Sequence, residues 1–251
     1  MQDVASYAGF AAGLLTLTGL TVALSRWARI GLGWFPLVVV VRASVQLAVV
    51  AALLRGILAV PWTVAAFVVL MLSTASWTSG RRIRGLWHGR RIAATGVLAG
   101  AAAALVAIFA LQLVDVDVRD LVAVAGIVIG NSMSAATLAG RNFHRASYSR
   151  RDEIEGWLSL GATPTEAHEE IGHEAVREAL LPTLDQTKST GLVTLPGAFV
   201  GALFGGASPV EAAQFQLVVL AGVALAMTVT GVVVTRMAGR SPYVVTEAAE
   251  S

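Results

Sequence analysis

The chain has 251 residues, of which 56% are hydrophobic and 14% charged, with a formal net charge of +2 and a mean hydropathy of +0.72. That composition is too apolar for a soluble domain and reads as an all-α integral membrane protein. With roughly 20 apolar residues needed per crossing, the membrane consumes nearly the whole chain and no soluble catalytic domain fits; the absence of cysteine excludes disulfides, thiolate metal sites and cysteine nucleophiles.

Seven apolar stretches are expected to span, over 5–25, 34–54, 57–77, 92–114, 121–140, 188–207 and 212–235. The opening MQDVASYAGF has no positive region and no cleavage site before its apolar run, so it reads as a retained first span. Arg26 and Arg29 follow the first span; Arg81, Arg82, Arg84, Arg90 and Arg91 follow the third; Arg141, Arg145, Arg150, Arg151 and Arg177 follow the fifth; Arg236 and Arg240 follow the seventh. The intervening loops hold only Arg55 and Arg119, with Asp115, Asp117 and Asp120 nearby. The positive-inside rule then puts the amino terminus outside and the carboxyl terminus in the cytoplasm, in a multi-pass protein of the plasma membrane. One transmembrane domain over 1–240 is expected, followed by a short polar tail, 241–251.

Polar residues inside the spans are the candidates for chemistry. Arg42 lies eight residues in from Trp34, roughly 12 Å deep along a helix, with Gln46 one turn further on the same face. A charge that deep lines a wet path or snorkels out, and both readings stand. Asn131 and Ser132 sit mid-span in GIVIGNSMSAATLAG; they either hold helices together or flank a path opposite Arg42. Gln186 and Lys188, with Asp185, enter the sixth stretch from the inside and are candidates for the path, although Lys188 can also snorkel out. GxxxG pairs at Gly126 and Gly130, Gly197 and Gly201, and Gly201 and Gly205 are candidate helix-packing sites, placing spans five and six at the centre of a bundle or dimer. His88, His144, His168 and His173 all fall in expected loops, and no metal site is assigned to them.

The long charged stretch, 151–182, is expected to be a cytoplasmic two-helix hairpin. Ile154, Trp157 and Leu158 mark a first helix ending at Gly161. Thr163, Pro164 and Glu166 form a capping box for a second, which runs to about Leu181 and is ended by Pro182. Glu155, Gly161, Ala162 and Pro164 resemble the EAA loop of ABC transporter permeases, which docks into a groove on an ATPase subunit. Gly156 and Trp157 stand where that motif has two alanines, and its closing Leu-Pro comes late, at Leu181 and Pro182. Read without the resemblance, the same hairpin is an amphipathic element lying on the bilayer.

Three runs, VRASVQLAVV, GIVIGNSMSAATLAG, and IEGWLSLGATP continuing to LLPTLDQTKSTGLVTLPGAFVGALFGGASPVEAAQFQ, resemble the FetB-like iron-export permeases across residues 35–235. These are membrane subunits of small ABC transporters and include plant aluminium-tolerance permeases. The resemblance implies a permease dimer working with a separate cytoplasmic ATPase, which would bind ATP and Mg, coupled through Glu155, Trp157, Gly161, Ala162, Thr163 and Pro164. It implies export linked to iron or metal homeostasis; nucleotide sugar or another anion is the alternative substrate, which Arg42 would suit. The chain lacks a GxxxxGK[ST] loop and a GxSxG elbow, so no catalytic residue and no cofactor of its own is expected. No nucleic-acid partner is expected. A stand-alone secondary transporter or channel is the rival, and an intramembrane enzyme finds no paired nucleophile and base.

Overall fold

The computed structural model describes residues 2–57 and 61–243. Residues 58–60, at the start of the third expected span, and the tail from 244 onward lie outside the described residues. The chain falls into two compact units, 1–60 and 61–251.

In the first unit, α1 (Gln2–Trp27) and α2 (Phe35–Ile57) form a helical hairpin. The Arg26 guanidinium sits 4.4 Å above the Trp34 ring, a cation–π contact that closes the turn between them.

The second unit contains α3 (Pro61–Arg82), α4 (Gly89–Ala110), α5 (Val118–Ser149), α6 (Arg151–Ser159), α7 (Pro164–Ala167), α8 (Glu169–Lys188), α9 (Gly197–Phe204) and α10 (Pro209–Ala238). Its centre is the seam between α4 and α10. Ala93, Val97, Ala101 and Ala104 recur at helical spacing on α4 and are fully buried. Gly96 and Gly100, on the same helix, let the two backbones touch: a β-carbon at Gly96 would lie 2.6 Å from Val234 Cγ2, and one at Gly100 would overlap Thr230 Oγ1 and the Ala226 carbonyl. Lipid supplies no hydrophobic drive for helix association, so such close approach supplies the packing. Helix α10 starts on a capping box, Ser208 Oγ accepting from Glu211 N while Glu211 accepts from Ser208 N at 2.8 Å.

Six described helices are long and apolar enough to cross a membrane, one fewer than the seven stretches expected. The difference is 188–207, which is not one helix. Helix α8 runs through Pro182 to Lys188, residues 189–196 are irregular, and α9 has only eight residues, about 12 Å. Pro182 therefore does not end the helix; burial of α8 against α5 and α10 outweighs one lost backbone bond. The second helix of the hairpin is also divided, with His168 the junction between α7 and α8. Helix α5 carries on past residue 140 to Ser149, so His144, expected in a loop, is a buried helical residue instead.

Helix α8 packs antiparallel to α10: Gly239 meets His168, Gly172 meets Thr235, and Gly231 meets Val176. Further along, Phe199 N of α9 donates to Gln216 Oε1 of α10 at 3.1 Å. Together α8 and α9 thus run back along α10, interrupted at residues 189–196. Gly140 against Ile83 and Gly85 against His144 bring the arginine-rich α3–α4 turn to the end of this unit that also holds His168 and Gly239. The arginines of the α3–α4 turn and of the ends of α5 and α10 thus lie at one end of the unit, beside the hairpin, and Asp115, Asp117, Arg119 and Asp120 lie at the start of α5.

Candidate functional site

The hairpin is a clamped knob. Arg150, at the end of α5, grips both oxygens of Glu153 at 2.7 and 2.8 Å and reaches Glu170 and Glu174 of α8, each at 3.4 Å. One guanidinium therefore ties α5, α6 and α8 together. Glu153 first, and Glu170 after it, hold the guanidinium above the ordinary arginine value, and Arg150 in turn holds the Glu153 carboxyl below the usual carboxylate range.

The corner is built as its residues dictate. Gly161 adopts φ +91, a left-handed turn that a side chain would strain. Thr163 caps α7: its Oγ1 accepts from Glu166 N at 3.3 Å, while Glu166 Oε2 accepts from Thr163 N at 2.7 Å. The Thr163 N–H first, and then the Thr163 hydroxyl donating to Oε2 at 2.8 Å, hold the Glu166 carboxyl below its ordinary value. Pro164 sits in the first turn, where no N–H is needed, and Ala162 bridges the turn. Glu155 pairs with Arg151 at 2.6 Å.

An open groove of about 670 Å³ runs along the knob between Trp157, Leu160, Gly161 and Ala162 on one side and Glu169, Glu170 and His173 on the other. Trp157 is 52% exposed and Leu160 83%. Residues 151–182 carry eight carboxylates against Arg151 and Arg177, a formal charge of −6 in a chain of +2, so the remainder carries +8. The knob is an acidic projection from a basic face.

Residues 10–243 match the Uncharacterised protein family UPF0014. The chain belongs to this family. It is 34% identical to the UPF0014 membrane protein STAR2 of Oryza sativa subsp. japonica over 222 residues, covering 87% of this chain and 78% of that protein. It is 33% identical to the protein ALUMINUM SENSITIVE 3 of Arabidopsis thaliana, over 69% of this chain and 63% of that one. With the probable iron export permease protein FetB of Escherichia coli it shares 31% identity, over 71% of this chain and 70% of the other. No solved structure matches. This UPF0014 member is a multi-pass helical membrane protein, and the resemblance to the FetB-like permeases is a family relationship.

The other expected site residues are dispersed. Arg42 and Gln46 are exposed residues of α2 in the first unit. Asn131 and Ser132 belong to α5 in the second: Asn131 Nδ2 donates to the Ile127 carbonyl at 2.8 Å, and Ser132 is fully buried with its hydroxyl unpartnered. Gln186 and Lys188 are exposed in the last turn of α8, where Lys188 Nζ meets Asp185 Oδ1 at 2.9 Å. The GxxxG residues do not make the tight seams of this chain. A β-carbon at Gly126 would lie at ordinary distance from Met71, Gly130, Gly197 and Gly201 face open space, and Gly205 faces only its own helix. The close contact belongs to Gly96 and Gly100, whose GVLAG spacing carried the same signal. Gln216, 6% exposed and serving as surrogate cap for α9, was also not anticipated; the glutamines Gln214 and Gln216 opening the apolar run QFQLVVL were its trace.

Proposed function

We propose that this protein is the membrane permease of an ABC transporter, with a separate ATPase holding ATP and Mg docked on the acidic knob. The observation that carries the reading is the clamped hairpin with its exposed Trp157 and Leu160 beside a carboxylate-lined groove. A surface-lying amphipathic hairpin needs basic residues to meet anionic lipid, whereas −6 of charge is repelled from it and suits a basic protein groove. Two copies and two ATPases would form the working unit. Export linked to iron is inferred from the FetB relationship, with an anion or chelated metal as the form that an intramembrane Arg42 would accept.

The test is to tag the chain, solubilise it gently from its native membrane and assay the purified material for ATP hydrolysis. The expected result is a co-purifying ATPase whose activity is lost from the Glu155→Ala/Gly161→Trp double variant while the variant stays folded. ATPase association that is indifferent to both changes would remove the knob from the mechanism. The break between α8 and α9 favours one rival, a secondary transporter, since discontinuous helices are frequent there; transport driven by a proton or sodium gradient without ATP would support it.

A further inference from the structure

The segment joining α8 to α9 presents to its surroundings what a lipid-facing surface cannot. From the level of Val176 against Gly231, twelve further residues bring the end of α8 to about Val219, roughly 15 Å from the start of α10. There Asp185 and Lys188 form an ion pair on an exposed face. Beyond it, Leu192 is 97% and Val193 81% exposed, and among the described residues the carbonyls of both accept no hydrogen bond. Thr194 Oγ1 is shielded yet has no partner. Irregular backbone at membrane depth is tolerated only where protein or water covers it.

We propose that this break is covered by the same segment of a second copy of the chain, so that the dimer face is the α8 end, residues 189–196 and α9. The inference rests on the two-copy reading above and adds the face by which the copies meet. A two-fold axis along the membrane normal brings equal depths together. Lys188 of one copy then comes within reach of the partner's Asp185, and the converse pair forms with it, so the surface is complementary to itself in charge. Gly197 and Gly201, which face open space in the single chain, allow close approach of the second backbone beside Leu192 and Val193. The apolar side chains exclude lipid and water from the exposed carbonyls.

The absence of cysteine makes the test direct. Leu192→Cys and Gly201→Cys are introduced singly, with Val106→Cys, exposed on α4, as control, and native membranes are treated with an oxidant. A covalent dimer from the first two and none from the third is the expected result. In parallel, Asp185→Lys should lower dimer yield several-fold and the exchange Asp185→Lys/Lys188→Asp should restore it, which a merely destabilised fold would not do. If a dimer is present by mass in detergent but only Val106→Cys cross-links, the proposed face is wrong and the two-copy reading survives. If Leu192→Cys instead reacts freely with a membrane-impermeant thiol reagent and no dimer exists by mass, both fall.

Discussion

The seam between α4 and α10 and the break between α8 and α9 are opposites built on the same small residue. Along the seam, Gly96 and Gly100 bring two helices into backbone contact, and the residues they meet, Ala226, Thr230 and Val234, are fully buried. At the break, Gly197 and Gly201 touch nothing, and none of the residues of α9 is buried. Glycine spacing thus says that a close approach is possible, and only the structure says whether the chain makes it with itself. The seam is completed scaffold; the break is an unfinished surface.

The sharpest way to break this contrast is to fill both glycine sites. Gly100→Leu must push Thr230 and Ala226 apart and is expected to cost about 3 kcal/mol or more, read as loss of folded yield and a lower melting temperature in detergent. Gly201→Leu is expected to leave the melting temperature of the single chain nearly unchanged while reducing dimer recovery. Equal destabilisation by the two would erase the distinction between scaffold and open face.

Within the knob, effects become smaller and local. Arg150→Ala removes the tie among α5, α6 and α8 and leaves Glu153, Glu170 and Glu174 facing one another; because the guanidinium is partly exposed, about 1 kcal/mol is expected, seen as faster hydrogen exchange in α6 with α10 unaffected. Thr163→Ala removes the cap of α7 and should cost about 1 kcal/mol of local stability, confined to exchange at residues 163–167. The smallest effect is a pH dependence. Glu166 has its carboxyl lowered below 4.5 by the Thr163 bonds, so its contribution is present above that ordinary value and disappears as pH falls through the lowered one. The exchange difference between the parent and Glu166→Ala should be constant from pH 8 to pH 5, as order-of-magnitude bounds about that value, and vanish in stronger acid.

How far the sequence could be read depended on whether the information was local. The corner at Gly161, Thr163, Pro164 and Glu166 was legible because turn and cap chemistry involve only neighbours in the chain. Residues 188–207 misled because GLVTLPGAFVGALFGG averages to the hydropathy of a span, although Pro196 and the threonines around it divide it into pieces. Averages record how apolar a stretch is and lose whether its backbone is continuous. His144 was misplaced for a related reason: Arg141 and Arg145 mark where lipid ends, while the helix has its own reasons to continue, since Phe143 and Ser147 remain buried against neighbouring elements. The glycines that pack could not be told from those that do not, since the choice is made by α10, far away in sequence.

The length of α5 has a mechanical meaning. Its 32 residues make a rod of about 48 Å, longer than the roughly 30 Å of hydrocarbon, and Arg150 fastens its protruding end to the knob. A force applied at the knob would therefore act on α5 as on a lever. Tilting the rod by about 5° around Asn131, 18 residues or about 27 Å from Ser149, moves that end by about 2 Å, so a small angular change within the helix corresponds to a measurable stroke where a partner would push.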